Sequence, residues 1–160
     1  MLNTLDINTE RGRIAAKQQA KAIEVLEQRT GMRFVTTDDR DSALVDAFAY
    51  DQQNRLVAVC EVKSRSMTLR QLKDWRNEWL ITYEKIRHGC DMAKTLRVPF
   101  IGVLYLTPDD LVLTIIISDK SGNLMQPTRI ERTETQATTN GGKIIRSNAY
   151  INMNAATKYA

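Results

Sequence analysis

Asp46, Glu61 and Lys63 stand in a stretch that is otherwise strongly apolar, ALVDAFAYDQQNRLVAVCEVKSR from Ala43 to Arg65. The segment reads as two β-strands rich in Val, Leu, Phe and Tyr, joined by a polar turn at Asp51-Gln52-Gln53-Asn54. Ionised groups inside a sheet are costly unless a partner compensates them, so these three side chains are the first candidates for chemistry. Pairing Tyr50 with Arg55 across the turn sets Asp46 opposite Val59. Side chains alternate faces along a strand, so Val59, Glu61 and Lys63 then share the face of Asp46, with Glu61 its diagonal neighbour. A one-residue slip of register would send Asp46 to the other face.

Two carboxylates at that separation can hold one cation, and hard oxygen ligands favour Mg²⁺ or Mn²⁺. Such an ion polarises a phosphate and lowers the pKa of its bound water, which is the chemistry of metal-assisted phosphodiester hydrolysis. Lys63 would orient or deprotonate the attacking water, or offset charge on phosphorus. Its positive charge also makes two neighbouring acids tolerable without metal. A plainer reading of the same residues is an ion-paired patch at a strand edge.

Asp46, fourteen intervening residues, then Glu61-Val62-Lys63 followed by Ser64-Arg65 resembles the core motif of the PD-(D/E)xK nuclease superfamily. The run is similar to that of archaeal Holliday-junction resolvases and related phage and repair nucleases. The resemblance covers residues 14 to 107, as helix, three strands, helix and strand. Val45 stands where the motif's name has proline. The resemblance implies a restriction-endonuclease-like α/β core, Mg²⁺ or Mn²⁺ as cofactor, and the main-chain carbonyl of Val62 as a ligand beside Asp46 and Glu61. It implies a further acidic or amide group from the first helix, for which Glu10 and Gln18 are the candidates. Glu24 and Glu27 suit by type but fall away from the apolar face. Gln71 resembles the glutamine that several relatives set beside the metal. Junction-type cutters act as dimers, so a homodimer is a further expectation.

The elements that must position these residues follow from capping and periodicity. Asn8 or Thr9 caps a helix that carries Glu10 in its first turn and ends at Gly31, with Ile14, Ala15, Ala22, Val25 and Leu26 on one side. Met32 to Thr36 is a strand, and Thr37 to Asp41 a polar loop. Leu72, Trp75, Trp79, Tyr83, Ile86, Cys90 and Ala93 recur at steps of three and four, which predicts one long helix from Thr68 to Leu96. Leu69, Leu80, Ile81 and Met92 form a second apolar margin on it, a surplus available to another subunit. The two tryptophans read as core, with base stacking as the alternative. Arg65, Arg70, Lys73 and Arg76 gather where strand meets helix and suit phosphate contacts, or a solvated helix start. Pro99 stops the helix, Phe100 to Leu106 and Leu111 to Ser118 are strands, and Asn140-Gly141-Gly142 turns a hairpin that ends at Met153.

These elements predict an α/β fold: a mixed sheet of about five strands flanked by two helices, with a C-terminal hairpin or arm. The 160 residues are read as a single nuclease-like domain, with a core over 9–118 and an extension over 119–160. No run reaches transmembrane length and no signal-peptide pattern opens the chain, so no membrane partner and a cytoplasmic setting are expected. A net charge of +4 is compatible with a polyanion and does not require one. Two cysteines without Cys-x-x-Cys spacing and a single histidine, His88, exclude a structural zinc site. Both thiols are read as buried packing groups, and His88 as a helix-surface residue. The function expected is metal-dependent hydrolysis of DNA at branched, single-stranded or terminal structures. The alternative is a noncatalytic nucleic-acid-binding or assembly module on the same fold. A restriction-type enzyme is a third option.

Overall fold

The computed structural model describes residues 9–37, 44–136 and 143–160. In chain order the elements are α1 (Glu10–Thr30), β1 (Arg33–Thr36), β2 (Ala47–Tyr50), β3 (Leu56–Arg65), α2 (Leu69–Asp74), β4 (Glu78–Thr82), α3 (Tyr83–Leu96), β5 (Phe100–Leu106), β6 (Leu111–Ser118), β7 (Thr128–Gln136), β8 (Lys143–Asn152) and β9 (Thr157–Tyr159). The fold is α/β. A six-stranded sheet runs β1-β2-β3-β5-β6-β9, parallel only between β3 and β5 and therefore mixed. A second sheet of three strands runs β4-β8-β7. Among the described residues no helix is long and apolar enough to cross a membrane.

Local chemistry accounts for α1. The Thr9 hydroxyl accepts the Gly12 N–H at 3.0 Å, and Gly31 ends the helix in the left-handed region at φ 69°. Its buried residues are Gly12, Ala22, Ile23 and Leu26, with Val25 packed against the same cluster, so the expected face holds except at its N-terminal end. Ile23 takes the place of Ile14, which is 48% exposed. This face rests on Ala47, Ala58, Cys60 and Val62. The other face of β3 begins with Val59, which joins Leu72, Trp79, Ile86, Phe100 and Leu104 in a second core layer. The alternation along β3 thus puts α1 on one side and α3 on the other.

The single long helix is corrected. Helix α2 stops at Asp74, Arg76 and Asn77 adopt φ 65° and 53°, and the chain runs on as β4 before α3 begins. A non-glycine residue in the left-handed region costs roughly 1–2 kcal/mol. Anchors repay it: the Asn77 N–H donates to Leu72 O at 2.9 Å, and Asn77 O accepts the Met153 N–H at 2.8 Å. Trp79 and Ile81 are buried through pairing with Ile151 and Ala149 of β8, so a period of two overrides helical spacing here. Strand β4 explains most of the apolar surplus. Ile81 is core, while Leu69 and Met92 pack against the same cluster. The C-terminal hairpin is consequently a body of the second sheet, not a free arm. Its Asn140-Gly141-Gly142 turn and the loop residues 38–41 lie outside the described residues.

Gly89 sets how closely α3 approaches the large sheet. A Cβ there would overlap the ring of Phe100, which is fully buried. Alanine gains about 1 kcal/mol of helix propensity over glycine, whereas overpacking a rigid core costs about 1–3 kcal/mol. Gly89→Ala is expected to be net destabilising in urea denaturation. A rise in the unfolding midpoint would show that the helix sits further from the sheet than described.

Candidate active site

The loop after β2 sets the register of the candidate site. Asp51 Oδ1 accepts the N–H groups of Gln53 and Arg55, each at 2.9 Å, and these bonds hold its carboxyl below the usual range. Beyond the loop Tyr50 pairs with Leu56, not Arg55, and a register shift follows before Ala49 pairs with Ala58 and Ala47 with Cys60. One further step brings Asp46 opposite Glu61, so the pairing with Val59 is corrected. The offset is even, and face parity survives it.

Asp46 lies just ahead of β2. Its N–H donates to Cys60 O at 2.9 Å, and its carbonyl accepts the N–H of Thr37 at 2.9 Å and the hydroxyl at 3.1 Å. Its Oδ2 accepts the Val62 N–H at 2.8 Å. The carboxylate is thereby stitched to the strand that carries Glu61.

Glu61 has no solvent exposure. Its Oε1 lies 3.3 Å from Lys63 Nζ, and its Oε2 lies 3.7 Å from Nζ of Lys85, in the first turn of α3. The same Lys85 ammonium is 3.9 Å from Asp46 Oδ1. Two acids and two ammonium groups thus form a neutral quartet, half-open to solvent on the Lys63 side. Lys63 Nζ is within donating reach of Glu61 Oε1, while Oε2 has no hydrogen bond among the described residues. Burial pushes the Glu61 carboxyl up, against the pull of Lys63, while Asp46 pushes it further up and Lys85 pulls it down; the net shift is upward. Burial alone would depress Lys63, but Glu61 and then Asp46 outweigh it and raise its pKa.

The signs follow by linkage. An acid whose folded pKa is raised binds more protons folded than unfolded, so its ionisation lowers stability as pH rises from 4.5 to the raised value. The raised ammonium contributes stability that is complete below 10.5 and is lost as pH climbs through its folded pKa.

The remaining expected residues divide. The Val62 carbonyl accepts Gln19 Nε2 at 3.0 Å, which leaves one lone pair for any other partner. Gln18 accepts the Ser64 hydroxyl at 2.5 Å. Ser64 alternates away from Lys63, so Gln18 is brought to β3 on the α1 side and not into the quartet. Glu10 is exposed in the first turn of α1, where an acid complements the helix dipole. Gln71 is exposed and spent in a capping box: its Oε1 accepts the Thr68 N–H at 2.8 Å. These placements correct Gln18 and Gln71 as neighbours of the acids, while Glu10 adjoins Arg11, a charge neighbour of Arg65. Arg65 is half-buried and donates to Ser64 O at 2.9 Å, whereas Arg70, Lys73 and Arg76 are exposed. Burial pushes the Cys60 thiol up to about 12, in keeping with a packing role, while Cys90 and His88 are half-buried.

Lys85 is the residue that sequence reasoning missed. Two signals pointed to it. Buried Glu61 beside Asp46 needs more than one positive charge, and Lys85 shares a helical stripe with Gly89 and Met92. Among the described residues no third acid, histidine or cysteine joins Asp46 and Glu61 in a metal-holding group. The oxygens that could take a hard cation are those of Glu61, with Asp46 Oδ1 facing the same ammonium. No protein-family model, curated protein or solved structure matches the chain.

Removing one member of the quartet leaves a buried charge short of a partner, a loss of about 3 kcal/mol. Lys85→Met is expected to destabilise by that order at pH 8 and by less at pH 5, where Glu61 takes up a proton more readily. Urea denaturation at the two pH values reads this, and Glu61→Gln in the same chain should recover most of the loss. Equal destabilisation at both pH values would dismiss Lys85 as a counter-charge.

Proposed function

We propose that the chain is a metal-dependent nuclease that hydrolyses phosphodiester bonds in DNA, with a restriction-endonuclease-like core built on β2 and β3. One observation carries this reading: Asp46 and fully buried Glu61 converge on a single ammonium, with Lys63 on the same face of β3. Glu61 Oε2 is buried with no hydrogen bond, and buried carboxylate oxygens are seldom left so. A donor pair of that kind suits a hard cation, Mg²⁺ or Mn²⁺, better than it suits an ammonium.

Asp46 and Glu61 would hold the ion, with the free lone pair of the Val62 carbonyl as a further donor. A bound ion of this type supplies Lewis acidity toward a phosphate oxygen and a more acidic water. Asp46 is oriented for its part by the Val62 N–H. Lys63, the more exposed of the two lysines at 32%, can donate to an attacking water or to a non-bridging phosphate oxygen. Glu61 and Asp46 raise its pKa while they carry no ion, so charge and orientation are the part its position supports. The quartet is neutral without metal and carries +2 with it. Phosphate affinity at this spot then depends on the ion, while Arg65, Arg70, Lys73 and Arg76 add contacts along the backbone.

The noncatalytic alternative has an observation of its own. Lys63 and Lys85 together already neutralise both acids, and a quartet satisfied in this way needs no metal to exist.

A panel of junction, flap, single-stranded and linear duplex DNA separates the two. Cleavage of at least one substrate in Mg²⁺ or Mn²⁺ is expected, falling about 100-fold or more in Asp46→Asn, Glu61→Gln and Lys63→Ala. DNA affinity measured in EDTA should change little in these variants. DNA binding that is unaltered in the variants, together with no cleavage under either ion, would establish the binding module instead.

A further inference from the structure

The break between α2 and β4 leaves Trp75 in an unusual place. It caps α2, stands 61% exposed, and is followed by two left-handed residues, Arg76 and Asn77. The turn is held from outside, since Asn77 is bonded to Leu72 and Met153 and its Nδ2 donates to Asn154 Oδ1 at 2.8 Å. Backbone held in a sparsely populated region by surrounding bonds is a frequent mark of a functional segment. Here it supports a large apolar ring at the surface.

Trp75 is one wall of a cavity of about 580 Å³. Tyr150 contributes a second aromatic wall, and Leu72 and Leu104 line it with apolar surface. Arg65 and Arg76 also line it. Arg129, another lining residue, is committed elsewhere: it lies 4.2 Å over the Tyr150 ring and pairs with Glu78 and Glu131. The cavity adjoins the quartet. Arg65 is two residues beyond Lys63 on the same face of β3, and Leu104 is the β5 partner of Lys63.

We propose that this cavity is a nucleobase pocket that takes one unpaired base of single-stranded DNA, stacked on Trp75, with its backbone running past Arg65 toward Lys63. The size suits a planar heterocycle. Aromatic walls stack on any base, and the lining cations Arg65 and Arg76 are opposite in charge to the phosphates. Asp74, which also lines the cavity, offers an acceptor for an exocyclic amino group. A duplex end keeps its bases stacked and cannot fill the pocket, so the proposal specifies the substrate class as DNA with an unpaired nucleotide beside the scissile phosphate. It rests on the nuclease reading for its choice of nucleic acid.

Tryptophan emission tests it directly, because Trp75 is one of two tryptophans and the other, Trp79, is 2% exposed. The full chain is titrated in EDTA with a thymidine oligonucleotide and with a duplex of equal length. Single strand is expected to quench emission and to bind more tightly than duplex. Trp75→Ala should abolish the quenching and weaken single-strand affinity by about tenfold, read by anisotropy of a labelled strand, with duplex affinity unchanged. Trp75→Phe should keep most of the affinity. Thermal unfolding checks that each variant is folded. Equal affinity of Trp75→Ala and wild type for single strand overturns the pocket, as does quenching by both DNA forms alike. Cleavage in Mg²⁺ or Mn²⁺ is scored separately on the same preparations: base binding without cleavage removes the nuclease reading and keeps the pocket, and cleavage indifferent to Trp75 does the reverse.

Discussion

A carboxylate with no access to water, held between two ammonium groups, is the constraint on which this architecture depends. Desolvating Glu61 costs several kcal/mol. An opposite charge at about 4 Å returns about 4 kcal/mol at an intermediate dielectric; two lysines offset much of the cost, yet burial and the charge of Asp46 still leave the carboxyl pushed up. Lys63 comes with the strand that carries Glu61. Lys85 does not, and must be delivered by a different element at 3.7 Å. Helix α3 therefore has to begin where it does, with Lys85 in its first turn over β3. Gly89, one turn later, lets the helix approach the sheet closely enough to reach.

What could be read from the residues alone was mostly local. Thr9 and Gly31 bound the first helix because capping and left-handed φ are properties of a few residues. β5 and β6 run over Phe100–Leu106 and Leu111–Ser118 as their apolar runs imply. The parity of Asp46 and Glu61 was legible because the side-chain period in a strand is two. The register itself was not, since it depends on Asp51 gathering the amides of Gln53 and Arg55. Strand β4 was invisible for a different reason. Trp75, Trp79 and Tyr83 satisfy a helical spacing, and only pairing with β8, some seventy residues onward, makes the extended form better. Lys85 followed the same fate, because a lysine at the start of a helix is recognised as buried only when the acid it meets is known.

A quartet of charges is seldom the most stable filling for an interior. Apolar residues of similar volume do as well or better in comparable places. The neighbouring layer shows that this chain can build such packing, with Val59, Phe100 and Leu104 sealed from water on the same face of the sheet. Charge at Asp46, Glu61, Lys63 and Lys85 is therefore better explained by what it can attract than by what it stabilises. Exposure rises from Glu61 at 0% through Lys85 at 14% and Asp46 at 21% to Lys63 at 32%. A ligand arriving from solvent meets a cation first and the acids behind it. Under the proposed nuclease reading, a small hard cation would sit between an arriving anion and those carboxylates.

The two unusual regions share one cause. Interrupting the helix after Asp74 turns the chain through Arg76 and Asn77, and that turn both leaves Trp75 at the surface and starts β4. Five residues of strand then return the chain to the sheet, where α3 can present Lys85 to the acids. A continuous helix would rise 1.5 Å per residue, whereas a strand advances about 3.3 Å. Over the same residues the strand reaches roughly twice as far, and without it Trp75 and Lys85 would sit on one rod with a fixed angle between them. As built, the tryptophan faces a cavity whose walls include Arg65, and Lys85 closes the quartet at Glu61, four strand positions before that arginine. The backbone strain at Arg76 is small beside the pairing of β4 with β8, and it buys the separation between a stacking surface and a charged one.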